Sequence, residues 1–118
     1  MHEPSTLTAG VVGYGRIGRQ AAAYLRGLGM HVLAHDAYVD VPQADEVESV
    51  ELGELLSRSD VVLLHAPGNP DGSPLIDASA LAGMRAGSVL VNTARGSLVD
   101  FPALVEAMKR GAPSRAAL

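Results

Sequence analysis

The strongest constraint on the fold is a glycine-rich turn at residues 13–18, which lies between a short apolar run and a helical pattern. In that context a G-x-G-x-x-G segment is typical of dinucleotide-binding folds. Gly13 would make the tight turn, Gly15 would leave room for a pyrophosphate, and Gly18 would let the helix pack closely on the strand. Backbone N–H groups at the helix start would then hold the phosphates. The predicted cofactor-binding positions of this turn are Gly13, Tyr14, Gly15, Arg16, Ile17 and Gly18.

An acidic residue, Asp36, follows Gly18 by 18 positions (36 − 18) and comes at the end of the next apolar run. A carboxylate at this point can accept hydrogen bonds from the hydroxyls of an adenosine ribose, and its charge repels a 2′-phosphate. The spacing therefore predicts NAD rather than NADP as the cofactor. The alternative is a glycine-rich turn that only begins a helix.

Length and composition narrow the class of protein. The chain has 118 residues, of which 47% are hydrophobic and 3% aromatic, a net charge of −4 and no cysteine. We expect one domain with a core of small aliphatic residues. The charge gives no basic surface for nucleic acid or an anionic membrane, and thiolate metal sites and disulfides are excluded. No metal site is predicted. Without a membrane-length apolar run or a signal-peptide pattern, we expect a cytoplasmic protein.

The apolar pattern alternates between strand and helix along the whole chain. Buried strands are predicted at 9–12, 32–34, 61–64 and 88–91, with a brief edge strand at 47–50. Between them, short helices are predicted at 52–56 and after Asp77 and Asp100, which would cap them. The first helix is predicted to be amphipathic along a stripe formed by Ile17, Ala21, Tyr24, Leu25 and Leu28. This order predicts an α/β Rossmann fold, a doubly wound and mostly parallel sheet with strand order 3-2-1-4-5.

Two further segments are more specific than the glycine turn. They are DVVLLHAP at 60–67 and VNTARGSLVD at 91–100. Together with the turn they closely resemble the NAD-binding domain of the D-isomer-specific 2-hydroxyacid dehydrogenases. The resemblance runs from about Leu7 to Leu118, so residues 1–118 are predicted to be one NAD-binding domain. The segment DAYV at 36–39 favours the phosphoglycerate dehydrogenase branch of that family.

The resemblance implies hydride transfer between NAD(H) and a small 2-keto or 2-hydroxy acid. By this resemblance Arg95 is the catalytic arginine, which also contacts the cofactor. A guanidinium group suits this role because it stays charged and can bind a carboxylate bidentately. Thr93 and Ala94 would shape the same loop or touch the nicotinamide ribose.

The residues after the fourth strand, His65, Ala66 and Pro67, are expected to line the nicotinamide pocket. In the family the proton donor is a histidine supported by a glutamate, and the resemblance places both beyond the position of Leu118. The other possibility is that His65 itself is the acid.

The resemblance also implies a substrate domain that this chain lacks and a sixth strand, opening near Arg115, that is truncated. We expect the strand at 89–91 to be left with an open apolar edge, and therefore a homo-oligomer. Two functions stay open. One is the cofactor domain of a dehydrogenase, inactive by itself. The other is a stand-alone NAD(H)-binding module, similar to the C-terminal-binding-protein corepressors, that acts by assembly.

Overall fold

A computed structural model describes residues 7–94 and 96–118, which form a six-stranded parallel sheet in the order β3-β2-β1-β4-β5-β6. The strands are β1 (Thr8–Val12), β2 (His31–His35), β3 (Glu48–Ser49), β4 (Val61–Leu64), β5 (Val89–Asn92) and β6 (Arg115–Ala117). The helices are α1 (Arg16–Gly27), α2 (Leu52–Arg58), α3 (Ala78–Ala82) and α4 (Phe101–Lys109). The predicted Rossmann fold and its strand order are confirmed.

The sheet is buried on both faces, as a parallel sheet requires. The larger core joins the sheet to α2, α3 and α4 and contains the fully buried Leu33, Leu55, Leu64, Leu81 and Leu90. The smaller core lies under α1, around Val11, Ala22 and Val32. These aliphatic runs form strands because branched side chains pack well on a pleated surface that is covered on both sides.

Helix α1 contacts the sheet through its smallest residues. Gly18 and Ala22 are its buried positions, whereas Ile17, Tyr24 and Leu28 are 66%, 68% and 63% exposed. The predicted helix is present, but most of the apolar stripe that predicted it faces away from the sheet. The reason is the close approach of two backbones, because a Cβ on Gly18 would collide with the carbonyl oxygen of Gly13. Ile17 and Tyr24 therefore lie on the outer face, whereas Leu25 is partly buried against the smaller core.

Two aspartates begin helices as the sequence predicts. The Asp77 side chain accepts a hydrogen bond from the backbone N–H of Ala80 at 2.9 Å, at the start of α3. Asp100 accepts one from Ala103 at 3.1 Å, at the start of α4. Each carboxylate satisfies one N–H group that has no partner within its helix.

The sixth strand corrects one expectation. β6 pairs with β5 in parallel, and Val89, Leu90 and Val91 each have a partner on it. The backbone N–H of Ser114 also donates to the carbonyl of Ser88 at 2.8 Å. The prediction of an open apolar edge along β5 was therefore wrong, because three of the four β5 residues pair with β6. The edge argument for a homo-oligomer no longer holds.

Candidate functional site

A cleft lies at the carboxyl ends of the central strands. β1 and β4 are neighbours, while the chain that leaves β1 first crosses to β2 on the other side. Ligands of open α/β sheets bind in the crevice that this reversal creates. The cleft is lined from the ends of β1 and β2 and from the segment after β4, by Val12, Gly13, His35, Asp36, Ala37, Tyr38, Ala66, Pro67, Gly68, Asn69 and Leu75.

The glycine turn reaches the cleft through Gly13, and two of its glycines differ in what surrounds them. Gly13 has a φ of +96°, and a Cβ there would lie 2.6 Å from the backbone of His65 and Ala66. A side chain at Gly13 would therefore collide with protein. At Gly15 an added Cβ would meet no atom of the described residues within 4 Å. Gly15 thus borders open space, as expected where a ligand approaches the backbone.

The start of α1 offers hydrogen-bond donors to an anion. Within the described chain, no side chain caps this end, whose N-cap residue is Gly15, and no acidic residue occupies the first turn. The first amides of a helix lack intrahelical partners, and the helix dipole adds positive potential there. Arg16 and Ile17 are exposed at this end. The arrangement fits a pyrophosphate.

Asp36 stands beside the turn with its carboxylate fixed by three backbone donors. Oδ2 accepts from Tyr14 N at 2.6 Å, and Oδ1 accepts from the N–H groups of Tyr38 at 2.8 Å and Val39 at 2.9 Å. Burial by itself would raise the pKa of Asp36, but these three donors and nearby His35 outweigh it and lower the pKa. The group is therefore an anion at neutral pH, as the prediction of NAD over NADP requires.

One hydrogen bond in this part of the site is not predicted by any sequence motif. The hydroxyl of Tyr14, inside the glycine turn, donates to Asp45 Oδ2 at 2.6 Å. Arg19 pairs with the same carboxylate. Asp45 lies in a short 3-10 turn, Gln43–Asp45, ahead of β3, and no motif links it to the turn at 13–18.

His65 and Thr93 join the carboxyl ends of the neighbouring strands β4 and β5. Thr93 Oγ1 lies 3.1 Å from His65 Nδ1 and 3.4 Å from the carbonyl oxygen of Leu64. When the hydroxyl donates to that carbonyl, it accepts from Nδ1–H of His65. The Nε2 atom of His65 is buried and has no hydrogen-bond partner among the described residues. Burial lowers the pKa of His65, so the ring is neutral at neutral pH, which favours a wall residue over a proton donor.

The predicted catalytic residue, Arg95, lies outside the residues that the structure describes. Its neighbours are at the same sheet edge as His65. Thr93 and Ala94 are exposed just after β5, and the backbone N–H of Ala94 donates to Asn92 Oδ1 at 3.0 Å. Pro67 is also exposed at this edge.

Residues 7–94 and 96–118 contain neither a candidate metal centre nor a helix that could span a membrane. No cluster of three or more histidine, aspartate or glutamate side chains is placed to hold a metal ion. Within the same residues, no helix has the length and apolarity needed to cross a membrane.

Comparison with known proteins agrees with this geometry. The family model of the D-isomer-specific 2-hydroxyacid dehydrogenase NAD-binding domain matches residues 1–118. A putative D-3-phosphoglycerate dehydrogenase from Schizosaccharomyces pombe is 40% identical over 111 residues, which are 94% of this chain and 24% of the relative. The D-lactate dehydrogenase of Treponema pallidum is 41% identical over 109 residues, 92% of this chain and 33% of the relative. Phosphoglycerate and lactate enzymes thus resemble the chain to the same degree.

A solved structure with bound cofactor is also similar. The D-lactate dehydrogenase from Aquifex aeolicus, complexed with NAD and lactic acid, superposes with a TM-score of 0.87 at 40% identity. The match covers 98% of this chain and 35% of that one. The chain spans about a quarter to a third of the length of these relatives. The family match covers the whole sequence. The chain belongs to the D-isomer-specific 2-hydroxyacid dehydrogenases, as an NAD-binding domain of that family.

Proposed function

We propose that residues 1–118 are the NAD-binding domain of an enzyme that transfers a hydride between NAD(H) and a small 2-hydroxy or 2-keto acid. The substrate domain and the proton donor would belong to other parts of a longer protein. The observation that carries the proposal is the ionised carboxylate of Asp36, held 2.6 Å from the backbone of the glycine turn at the mouth of the cleft. That carboxylate suits the adenosine ribose of NAD, and the free space at Gly15 and the uncapped start of α1 suit its pyrophosphate.

Asp36 would select NAD by both hydrogen bonding and charge. A carboxylate has about four lone-pair positions, and three of them already accept backbone N–H groups. The remaining position would accept one ribose hydroxyl, and the second hydroxyl would share an oxygen with Tyr38 N or Val39 N. A 2′-phosphate would instead bring negative charge against an anion that has no capacity to donate a hydrogen bond.

The other end of the cleft would hold the nicotinamide and the substrate. NADH supplies the hydride. Arg95 would bind the carboxylate of the keto acid in a bidentate pair, which orients the carbonyl carbon for attack. His65 and Thr93 would form the neutral wall beside the ring, with Ala66, Pro67 and Ala94. A neutral imidazole neither repels the oxidised cofactor nor carries the proton that the carbonyl oxygen needs.

Nucleotide titration tests the cofactor assignment. We expect the wild type to bind NADH at least about tenfold more tightly than NADPH, because hydrogen bonds to a charged group contribute about 1.5–3 kcal/mol. Asp36→Ala should weaken NADH binding and bring the two affinities close together. Asp40→Ala, an exposed acid of the same segment, is the matched control and should keep the preference. Equal affinities for both nucleotides in the wild type would overturn the assignment.

A turnover assay tests whether this domain is inactive without the proposed substrate domain and proton donor. The 118-residue chain should reduce no 2-keto acid at a measurable rate, because a general acid alone contributes about 10²- to 10⁴-fold. Clear turnover that disappears in His65→Ala would make His65 the acid. A longer protein that contains this domain, binds NADH and reduces no keto acid would favour the non-enzymatic alternative.

A homo-oligomer also remains a proposal, on a different surface from the one first expected. The support is now the exposed apolar surface formed by Tyr24 on α1 and Leu28 directly after it, rather than the edge of β5. Light scattering of the wild type and of Tyr24→Ser/Leu28→Ser tests it. A monomeric wild type at micromolar concentration would remove the proposal.

A further inference from the structure

Tyr14 connects two aspartates that lie at opposite ends of one segment. Its backbone N–H donates to Asp36 Oδ2 at 2.6 Å, and its phenol hydroxyl donates to Asp45 Oδ2 at 2.6 Å. Tyr14 is only 2% exposed. The segment between the two aspartates links β2 to β3, and a 3-10 turn at Gln43–Asp45 is its regular element. One buried residue of the glycine turn therefore holds both ends of this segment.

Asp45 is itself held against α1 by arginines. Arg19 donates to it through Nε at 2.7 Å and Nη2 at 2.9 Å, which is a bidentate pair. Arg26, almost two turns further along α1, donates to the backbone carbonyl of Asp45 at 3.2 Å. The carboxylate thus has a fixed position relative to the helix that begins in the cofactor cleft.

The protonation states keep this arrangement constant over the neutral range. Burial, then the hydrogen bond to Asp45, raises the pKa of Tyr14 to about 12, so its hydroxyl remains a donor. The hydrogen bonds from Arg19 and Tyr14 lower the pKa of Asp45, so its carboxylate remains an acceptor.

We propose that Asp45, clamped by Arg19, is a positioning residue for Asp36 and acts through Tyr14. Asp45 fixes the phenol ring, the ring fixes the Tyr14 backbone, and the Tyr14 N–H fixes the carboxylate oxygen that faces the ribose. The inference rests on the proposed function, in which Asp36 accepts hydrogen bonds from the ribose. Asp45 itself need not touch the cofactor.

A double-mutant cycle on NADH affinity tests this coupling. In the wild-type background, Asp45→Ala should weaken NADH binding by about tenfold, near the lower limit for losing a charge-assisted hydrogen bond. In the Asp36→Ala background the same substitution should change NADH affinity by less than about twofold, because the group that it positions is gone. Tyr14→Phe, which keeps the ring and removes only the hydroxyl, should follow the same pattern. Asp45→Asn, whose amide oxygen can still accept from the phenol, should restore most of the affinity.

Glu46→Gln is the matched control, because Glu46 lies next to Asp45 and pairs with Arg26 rather than hydrogen-bonding to Tyr14. It should leave NADH affinity unchanged in both backgrounds. Suppose that Asp45→Ala and Tyr14→Phe each cost the same NADH affinity with and without Asp36. The network would then be only structural, and this inference would be overturned while the ribose assignment stands. Unchanged affinity in the single variant Asp36→Ala would overturn the ribose assignment and this inference together.

Discussion

Gly18 packs against Gly13 so closely that a Cβ on Gly18 would meet the Gly13 carbonyl oxygen, and its carbonyl carbon at 3.0 Å. Gly15, between them, would carry a Cβ with no atom of the described residues within 4 Å. Two glycines of one motif therefore serve different purposes. Gly18 allows close contact between α1 and the turn, and Gly15 leaves open space where we propose that the cofactor lies. This difference can be measured.

Gly18→Ala should destabilise the fold. The added methyl group meets backbone that cannot move without separating α1 from the turn, and such overpacking costs about 1–3 kcal/mol. Urea denaturation gives the change in the free energy of unfolding. The control is Gly53→Ala in α2, where a Cβ meets no described atom within 4 Å. That variant should be unchanged or more stable by up to about 1 kcal/mol, from helix propensity. Equal stability of the two variants would contradict the packing argument.

Gly15→Ala should impair binding rather than folding. Its φ of −79° suits alanine, so we expect a loss of unfolding free energy of about 1 kcal/mol or less, from the poorer N-cap. The methyl group would occupy the place of the pyrophosphate, and the Kd for NADH should rise by at least about tenfold, or 1.4 kcal/mol. NADH fluorescence titration and urea denaturation of the same sample separate the two effects. A variant with normal affinity would show that the phosphates lie elsewhere.

Asp100→Ala should lower the unfolding free energy by about 0.5–2 kcal/mol, because the Ala103 N–H loses its acceptor at the start of α4. Asp100→Ser should recover most of the loss, since a serine hydroxyl also caps. Neither change should alter NADH affinity, as measured by titration at a temperature where both variants are folded. Weaker NADH binding in a fully stable Asp100→Ala would give this residue a role in the site instead of a cap.

The half-buried ring of His65 should make the fold sensitive to mild acid. Its pKa is lowered in the folded chain from the ordinary value of 6.5, so below that value the unfolded state binds more protons than the folded state. Stability should therefore fall as pH decreases from about 6.5 toward the lowered pKa. Unfolding free energies between about pH 5 and 7.5 measure the slope. His65→Asn, which cannot take up the proton, should have a shallower slope over this window. An identical slope in both proteins would mean that the ring is charged as easily in the fold as in water.

The sequence by itself determined the order of strands and helices, the cleft and the charge at Asp36. The helices, strands and turns depend on interactions between residues that are close together in the chain. Apolar periodicity decides which element forms, Asp77 and Asp100 bond three residues ahead, and the positive φ of Gly13 is a property of that residue. The glycine turn and Asp36 follow from chain order, because parallel strands bring their carboxyl ends to one edge.

The tertiary structure decided which face of α1 is buried and what holds Asp36 in place. Periodicity shows an apolar stripe on α1, but the contact between two backbones at Gly13 and Gly18 admits only small residues there. The bond from Tyr14 to Asp45 spans 31 residues, and the one from Thr93 to His65 spans 28. Short polar side chains so far apart have no preferred spacing in sequence. They meet only because the packed sheet and helices fix the distance between them. In the proposed site, that fixed geometry would let the Asp36 carboxylate bind an unmodified ribose and exclude one that carries a 2′-phosphate.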